Sequence, residues 1–465
     1  MARCSTLNRR RSSRLLTTLA AAGACATACD GSGDAANRAA GDTPGSAAGE
    51  TSKPDRSGTS GTGTAVAPRD ILHTDLALDL TARRGRATVT LARGSGPATF
   101  DVGDLRIEAV RDPEGASVPF TRLAPGRVEV AVPTAKTDVV FEYGFSKHGR
   151  FDGWDATPGL TFLWPAYCGN LFPCHSDPAD GTTFELAVAG VPEGSVAVYP
   201  AEIPAPAPAY QIGLAVGDYT YERLGETSAG TEVGLYTQPG GAETARTGAA
   251  SLVGHFDWLE TTLGPYLFGP KAASVGVDWG PGDFGGLEHH PYWHIDDGQM
   301  GDANTHAHEA AHGWFGGGVR LACWEDLVLS EGTVTYLAAR AIEAVDGPDA
   351  GAEQWATYER ELAELVEGGD DTPAWLPETC NAIDLTTHPL WSLVTYYKGA
   401  LFLRAVEEAV GREALDAALA GFYRRHGGKS AARVQDLLNA LEAATGLDPR
   451  PLAERWLLSK GLPAD

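Results

Sequence analysis

The spacing of apolar residues changes period about halfway along the chain. From about residue 69 to 222, apolar and polar positions alternate with a period near two, as in Arg86–Leu91, Arg127–Val132 and Thr183–Val188. Successive strand side chains point to opposite faces, so each run predicts a half-buried β-strand. Gly, Pro and Asp punctuate the runs, and a β-sandwich is the simplest way to bury their apolar faces. Pro204, Pro206 and Pro208 predict an extended loop over 203–208. From about residue 240 the period becomes helical, over Ala242–Gly264, Leu329–Val345, Leu390–Val410, Ala414–Tyr423, Val434–Ala444 and Pro451–Ser459. Ala273–Trp279 reads as a strand set among these helices. The pattern predicts a multi-domain α+β chain, with a β domain over 69–222 and a mostly helical domain over 223–465. A length of 465 residues accommodates this, and no internal repeat is visible.

The first 68 residues carry neither period. Arg3, Arg9, Arg10, Arg11 and Arg14 precede an uncharged run from Leu15 to Cys29. A positive segment, a short apolar run and small residues make an export signal over 1–29, too short for a stable membrane span. Cys29 follows Ala26, Thr27 and Ala28, which resembles a bacterial lipoprotein signal whose cysteine becomes the lipidated first residue. Cys25 is a rival site, and a secreted protein without lipid is the alternative. Residues 30–68, rich in Gly, Ser, Thr, Ala and Asp, read as a flexible tether. The expected location is therefore the bacterial cell envelope, otherwise the periplasm or the exterior, with membrane attachment only through this anchor.

Charge and cysteine content narrow the function. The formal charge is −25, from 36 Lys and Arg against 61 Asp and Glu. Nucleic acid is an unsuitable partner for such a surface, whereas cationic or neutral substrates stay open. The same acidity also serves solubility alone. Of seven cysteines, four follow the signal: Cys168, Cys174, Cys323 and Cys380. Export favours disulfides, and Cys168–Cys174 with Cys323–Cys380 is the favoured of three pairings; free buried thiols are the alternative.

The candidate chemistry lies at His308, Glu309 and His312. Histidines four apart share one face of a helix, so their rings can converge on one metal ion, with the intervening glutamate near a water at that ion. Glu331, nineteen residues after His312 and at the start of a helical run, is placed to supply a third ligand. Two imidazoles and one carboxylate suit a single Zn²⁺ with an open fourth position. Glu309 would then be the general base of a hydrolase. Six of the twelve histidines fall between 289 and 312, a concentration unusual for purely structural roles.

Several segments together resemble the aminopeptidase N family of gluzincin metallopeptidases, relatives of leukotriene hydrolase. His308–Val319, HEAAHGWFGGGV, is similar to the family's H-E-x-x-H-x-W-F-G-N helix. Trp324–Tyr336, WEDLVLSEGTVTY, is similar to W-x-D-L-W-L-N-E-G-F-A-x-Y, whose glutamate is the third zinc ligand and matches Glu331. Gly285, Gly286, Leu287, Glu288 and His289 resemble the G-x-M-E-N loop, whose glutamate holds the substrate's α-amine and matches Glu288. Thr395–Ala400 resembles the Y-x-K-G segment, whose tyrosine stabilises the oxyanion. That implies Tyr396, with Tyr397 the rival if the register slips by one. Leu171–Phe184 and Tyr210–Tyr219 resemble segments of the family's N-terminal β domain.

The resemblance implies a thermolysin-like zinc catalytic domain behind the β-sandwich and removal of N-terminal residues from peptides. Many relatives continue into a large C-terminal helical domain; its absence here predicts a more open cleft. Two departures touch the amine pocket. His289 stands where the family has asparagine, and Phe162 stands where a glutamine helps bind the amine. They keep open an endopeptidase, or a peptidase with atypical N-terminus specificity. A non-catalytic peptide-binding lipoprotein is the reading from another class.

Overall fold

The computed structural model describes residues 69–463, apart from Pro125, Arg150, Pro158 and 281–284. The export segment, the tether and Cys29 lie outside the described residues. Among those described, a β-rich half precedes a mixed half in which helices dominate. The largest sheet has six strands in the order Glu202–Ala207, Thr182–Ala189, Ile71–Asp79, Arg84–Leu91, Thr137–Gly144, Arg106–Arg111. The alternation anticipated for these runs is visible in Ile71–Asp79 and Arg84–Leu91, where buried residues mostly recur at every second position. A three-stranded sheet of Ala98–Asp101, Arg127–Val130 and Phe120–Arg122 meets it through Phe100, whose ring lies 4.9 Å from that of Phe141. A third sheet of four short strands includes Leu160–Phe162 and Ala215–Gly217.

Residues 203–208 correct an expectation. Glu202–Ala207 is a strand, not a loop, and lies at the edge of the six-stranded sheet. Pro204 and Pro206 are two apart, so both missing N–H groups fall on one side of the strand. An edge strand tolerates this because one side has no partner.

A five-stranded sheet opens the second half, in the order Thr220–Glu226, Glu232–Thr237, Lys271–Val277, Tyr292–Asp296, Gly286–Leu287. The helical stretch expected over Ala242–Gly264 is two helices, Ala242–Gly248 and Leu252–Leu263, separated by a turn. Glu331–Asp346 is the central helix, buried from Glu331 through Ile342. Leu252–Leu263, Ala303–Ala311, Pro348–Glu367 and Leu393–Val410 all pack against it. Pro348–Glu367 was not foreseen. Its signal was present, with proline at the first helical position after Gly347 and buried Trp355, Tyr358 and Leu362 along one face.

The two halves share one core. Arg320, buried in the second half, donates to the carbonyls of Ala179 and Pro206 in the first. Both favoured disulfides, Cys168–Cys174 and Cys323–Cys380, are formed. No described helix is long and apolar enough to cross a membrane.

Candidate metal centre

The helix Ala303–Ala311 begins at Asp302, whose carboxylate accepts from the backbone N–H of Thr305 at 3.0 Å. This cap satisfies an N–H that the first turn leaves free. One turn apart at the helix's far end, the His308 and His312 rings lie 5.0 Å from each other. The chain then folds back through Gly316, whose φ is +93°. A Cβ there would stand 2.4 Å from Ser330 Oγ and 2.7 Å from His312 Nδ1, so only glycine allows this approach. The short helix Trp324–Leu329 follows and delivers Glu331 to the first position of the central helix.

Glu331 Oε2 is 3.4 Å from His308 Nε2 and 3.4 Å from His312 Nε2. Donors roughly 2.0–2.2 Å from a tetrahedral zinc stand roughly 3.3–3.6 Å apart, so the spacing fits that ion. The far ring nitrogens are also held. His312 Nδ1 lies 3.1 Å from the Phe315 carbonyl, and His308 Nδ1 lies 3.4 Å from Thr335 Oγ1. Such contacts aim Nε2 at the metal position. Burial opposes the imidazolium of His312, but the Glu331 and Glu288 carboxylates outweigh it and push its pKa up. Burial would raise Glu331, yet His312 and His308 hold it well below the usual carboxylate range. The field inside the cluster thus favours positive charge, and a divalent cation would displace the His312 proton.

Glu309 lies beside these donors, 5% exposed, and burial pushes its carboxyl well above the usual range. Its Oε2 has no protein hydrogen-bond partner. Gly286 accounts for the closeness of the loop, since a Cβ there would stand 2.3 Å from Glu309 Oε1. Carboxylate atoms of Glu288 and Glu309 and a His312 ring nitrogen lie within 4.8 Å of one another. Tyr396 stacks on His308, with ring centroids 5.7 Å apart and 12° between planes. Tyr397 points elsewhere, its hydroxyl donating to Glu361.

The helices bearing Glu331 and Tyr396 touch through glycines. A Cβ on Gly332 would stand 2.6 Å from the Cα of Gly399. Lys398, fully buried, anchors the second helix by donating to the carbonyls of Thr372 at 3.1 Å and Ser459 at 2.8 Å.

The expected substrate loop is only partly a side-chain surface. Leu287 belongs to the core, while Gly285 and Gly286 contribute backbone beside the site. His289 is 1% exposed, with Nδ1 3.2 Å from His294 Nδ1. The histidine concentration is mostly structural, which corrects the sequence reading. His290 bridges Tyr266 Oη and the Glu309 carbonyl, each at 2.8 Å, and His306 bridges Ser274 Oγ and the Met300 carbonyl. Burial lowers the pKa of His290 to about 3, so it stays neutral and serves as a rigid two-ended brace. Phe162 is packed edge-to-face against Phe151 and Trp279.

Residues 295–456 match the Peptidase family M1 domain. The chain is 25% identical over 339 residues to Aminopeptidase M1 of Arabidopsis thaliana, covering 65% of this chain and 37% of that protein. It is 32% identical over 161 residues to Aminopeptidase N of Streptomyces lividans, covering 34% of this chain and 19% of that protein. The chain therefore spans well under half the length of either relative. The M1 zinc metallopeptidase of Deinococcus radiodurans superposes with a TM-score of 0.69 at 21% identity, covering 86% of this chain and 96% of that one. Leukotriene A4 hydrolase from Saccharomyces cerevisiae superposes at 0.70 and 20% identity, covering 89% and 72%. At these identities the two superpositions show a common fold.

Proposed function

We propose that this chain, which carries a peptidase family M1 domain on an aminopeptidase N-like gluzincin fold, removes N-terminal residues from peptides in a zinc-dependent reaction. The observation that carries the reading is the convergence of His308, His312 and Glu331 at 3.4 Å beside Glu309. In this reading those three residues hold one zinc ion in a thermolysin-like domain. When bound, zinc polarises the scissile carbonyl and acidifies a water.

The protein residues carry the remaining work. Glu309 takes a proton from the attacking water as its oxygen bonds to the carbonyl carbon. The C–N bond then breaks and Glu309 returns that proton to the leaving nitrogen. Tyr396, whose phenol burial holds far above its ordinary pKa, stays neutral and donates to the carbonyl oxygen as charge develops. Glu288 pairs with the substrate's ammonium group. Gly286–Leu287, at the edge of its sheet, offers backbone to an extended peptide.

Purified protein is expected to hold about one zinc per chain. It should hydrolyse a fluorogenic aminoacyl panel, and Glu309→Gln should keep the zinc and lose the activity. Absence of stoichiometric zinc, or full activity in that variant, refutes the reading. A second reading, cleavage without amine anchoring, is favoured by Phe162, an aromatic core residue where relatives of this type would place glutamine. Equal cleavage of free and N-acetylated aminoacyl substrates would establish it. The proposed setting is the outside of a bacterial membrane, with lipid at Cys29 and residues 30–68 as tether, supported by the sequence of the first 68 residues.

A further inference from the structure

His290 follows the five loop residues that resemble the family pattern, so the resemblance gives it no role. It is fully buried and bonded at four points. Its backbone N–H donates to the Glu288 carbonyl at 2.8 Å, and its own carbonyl accepts from Gln211 Nε2 at 3.2 Å. Its ring joins Tyr266 Oη to the Glu309 carbonyl, each at 2.8 Å. A carbonyl only accepts, so Nε2 carries the proton and Nδ1 accepts from the phenol. The Glu309 carbonyl lies in the last turn of the helix Ala303–Ala311, where carbonyls lose their helical partners. A regular helix would turn the Gly313 N–H onto it, but Gly313 donates to Ala310 at 3.1 Å. His290 Nε2 supplies the missing donor. Gly313 lets the brace come close, since a Cβ there would stand 2.7 Å from the Tyr266 ring and 3.2 Å from the His290 ring.

From these bonds we infer that His290 is the positioning residue that fixes how far the loop bearing Glu288 stands from the helix bearing Glu309. This rests on the aminopeptidase reading and deepens it. His308 and Glu309 lie on one helix and His312 caps it, so their mutual geometry needs no outside tie. Glu288 follows the strand Gly286–Leu287, a separate element, and its distance from the base is set by what joins the two. Packing of Gly286 against Glu309 limits their approach. The bond from His290 limits their separation. A substrate held by its amine at Glu288 meets the base correctly only at one such spacing. Loosening the brace misplaces bound substrate and lowers kcat, whereas losing the anchor itself would raise KM.

The test compares zinc-loaded wild type with His290→Phe and His290→Gln on one free-amine aminoacyl substrate. Phenylalanine keeps a ring and removes both side-chain bonds, while glutamine carries an N–H close to where Nε2 stood. In His290→Phe, kcat is expected to fall about 10- to 100-fold, with KM within about threefold of wild type and zinc content unchanged. In His290→Gln, kcat should return to within about fivefold of wild type. A histidine that only stabilised the fold would lower the unfolding midpoint of both variants and leave kcat of the folded protein unchanged. A His290→Phe kcat within about threefold of wild type, a raised KM with kcat intact, or a Gln variant no better than Phe overturns the inference. If His290→Phe does not fold, Tyr266→Phe carries the test. It removes the hydroxyl that holds Nδ1 and keeps the ring against Phe256 and Trp314. Its kcat should fall at least about threefold at unchanged KM, and a wild-type kcat overturns the inference as well. Wild type cleaving the substrate and its N-acetylated form equally would instead sink the aminopeptidase reading, so the two failures are distinguishable.

Discussion

Gly399→Ala should separate stability from activity in one substitution. The new Cβ would stand 2.5 Å from both the Cα of Gly332 and Cγ2 of Val328. Comfortable carbon contacts lie at about 3.5–4.0 Å, so the two helices must part by about 1 Å. Overpacking of this kind costs roughly 1–3 kcal/mol. Alanine regains about 1 kcal/mol over glycine in a helix interior. The net loss of stability is then small, roughly 0–2 kcal/mol. The loss of activity is not small, because Gly332 adjoins Glu331 and Gly399 lies three residues from Tyr396. A 1 Å misplacement of reacting groups costs about 100-fold. The assay is kcat/KM of zinc-loaded protein beside a urea unfolding curve. Gly421→Ala is the control, in the helix Arg412–His426, where the nearest atom to an added Cβ is Arg424 Nη2 at 3.7 Å. It should stabilise by about 0.5–1 kcal/mol with activity unchanged. A Gly399→Ala enzyme within about threefold of wild type would refute the claim that this contact sets the distance between Glu331 and Tyr396.

Gly286→Ala should keep zinc and lose about 100-fold in kcat, since its Cβ would displace Glu309; retained kcat in a zinc-replete variant speaks against that packing. Asp326 is fully buried and accepts from Arg433 at 2.7 Å, Trp375 at 2.8 Å and the Val434 N–H at 3.2 Å. Asp326→Ala should therefore cost about 3–5 kcal/mol in urea unfolding, and a loss under about 1 kcal/mol would show the network to be dispensable. For His175, burial opposes the imidazolium, but Asp180 at 2.6 Å outweighs it and raises the pKa. A folded pKa above the unfolded one gives stabilisation that is complete below the unfolded value and lost as pH rises through the folded value. His175→Asn should hence cost more stability at about pH 5.5 than at about pH 9, and equal costs would contradict the assignment. Loop-closure entropy scales with the span bridged, which is 57 residues for Cys323–Cys380 and 6 for Cys168–Cys174. Removing the first should cost about 4 kcal/mol and the second about 2 kcal/mol, compared by unfolding of the paired alanine variants.

Much of the centre follows from local rules. Histidines four apart on a helix share a face whatever surrounds them, so His308 and His312 were legible as a pair. The strands over Arg84–Leu91 and Thr182–Ala189 and the helix Val434–Thr445 follow equally from period, because burying one face demands it. Glu331 was legible as a candidate from its place at the start of a helical run. The residues that tertiary structure decided are those whose neighbours are remote in the chain. Tyr396 and Tyr397 are equivalent by composition, and only the packing of Leu393–Val410 turns one onto His308 and the other onto Glu361. The prolines of Glu202–Ala207 are compatible with a loop or an edge strand, and sheet order alone separates the two. His290 and His306 could have been ligands, but carbonyls of Glu309 and Met300 occupy their ring nitrogens. Periodicity reports which face of an element is buried. It is silent on what that face meets, and the bond from Gln211 to the His290 carbonyl, seventy-nine residues later, is a fact of that second kind.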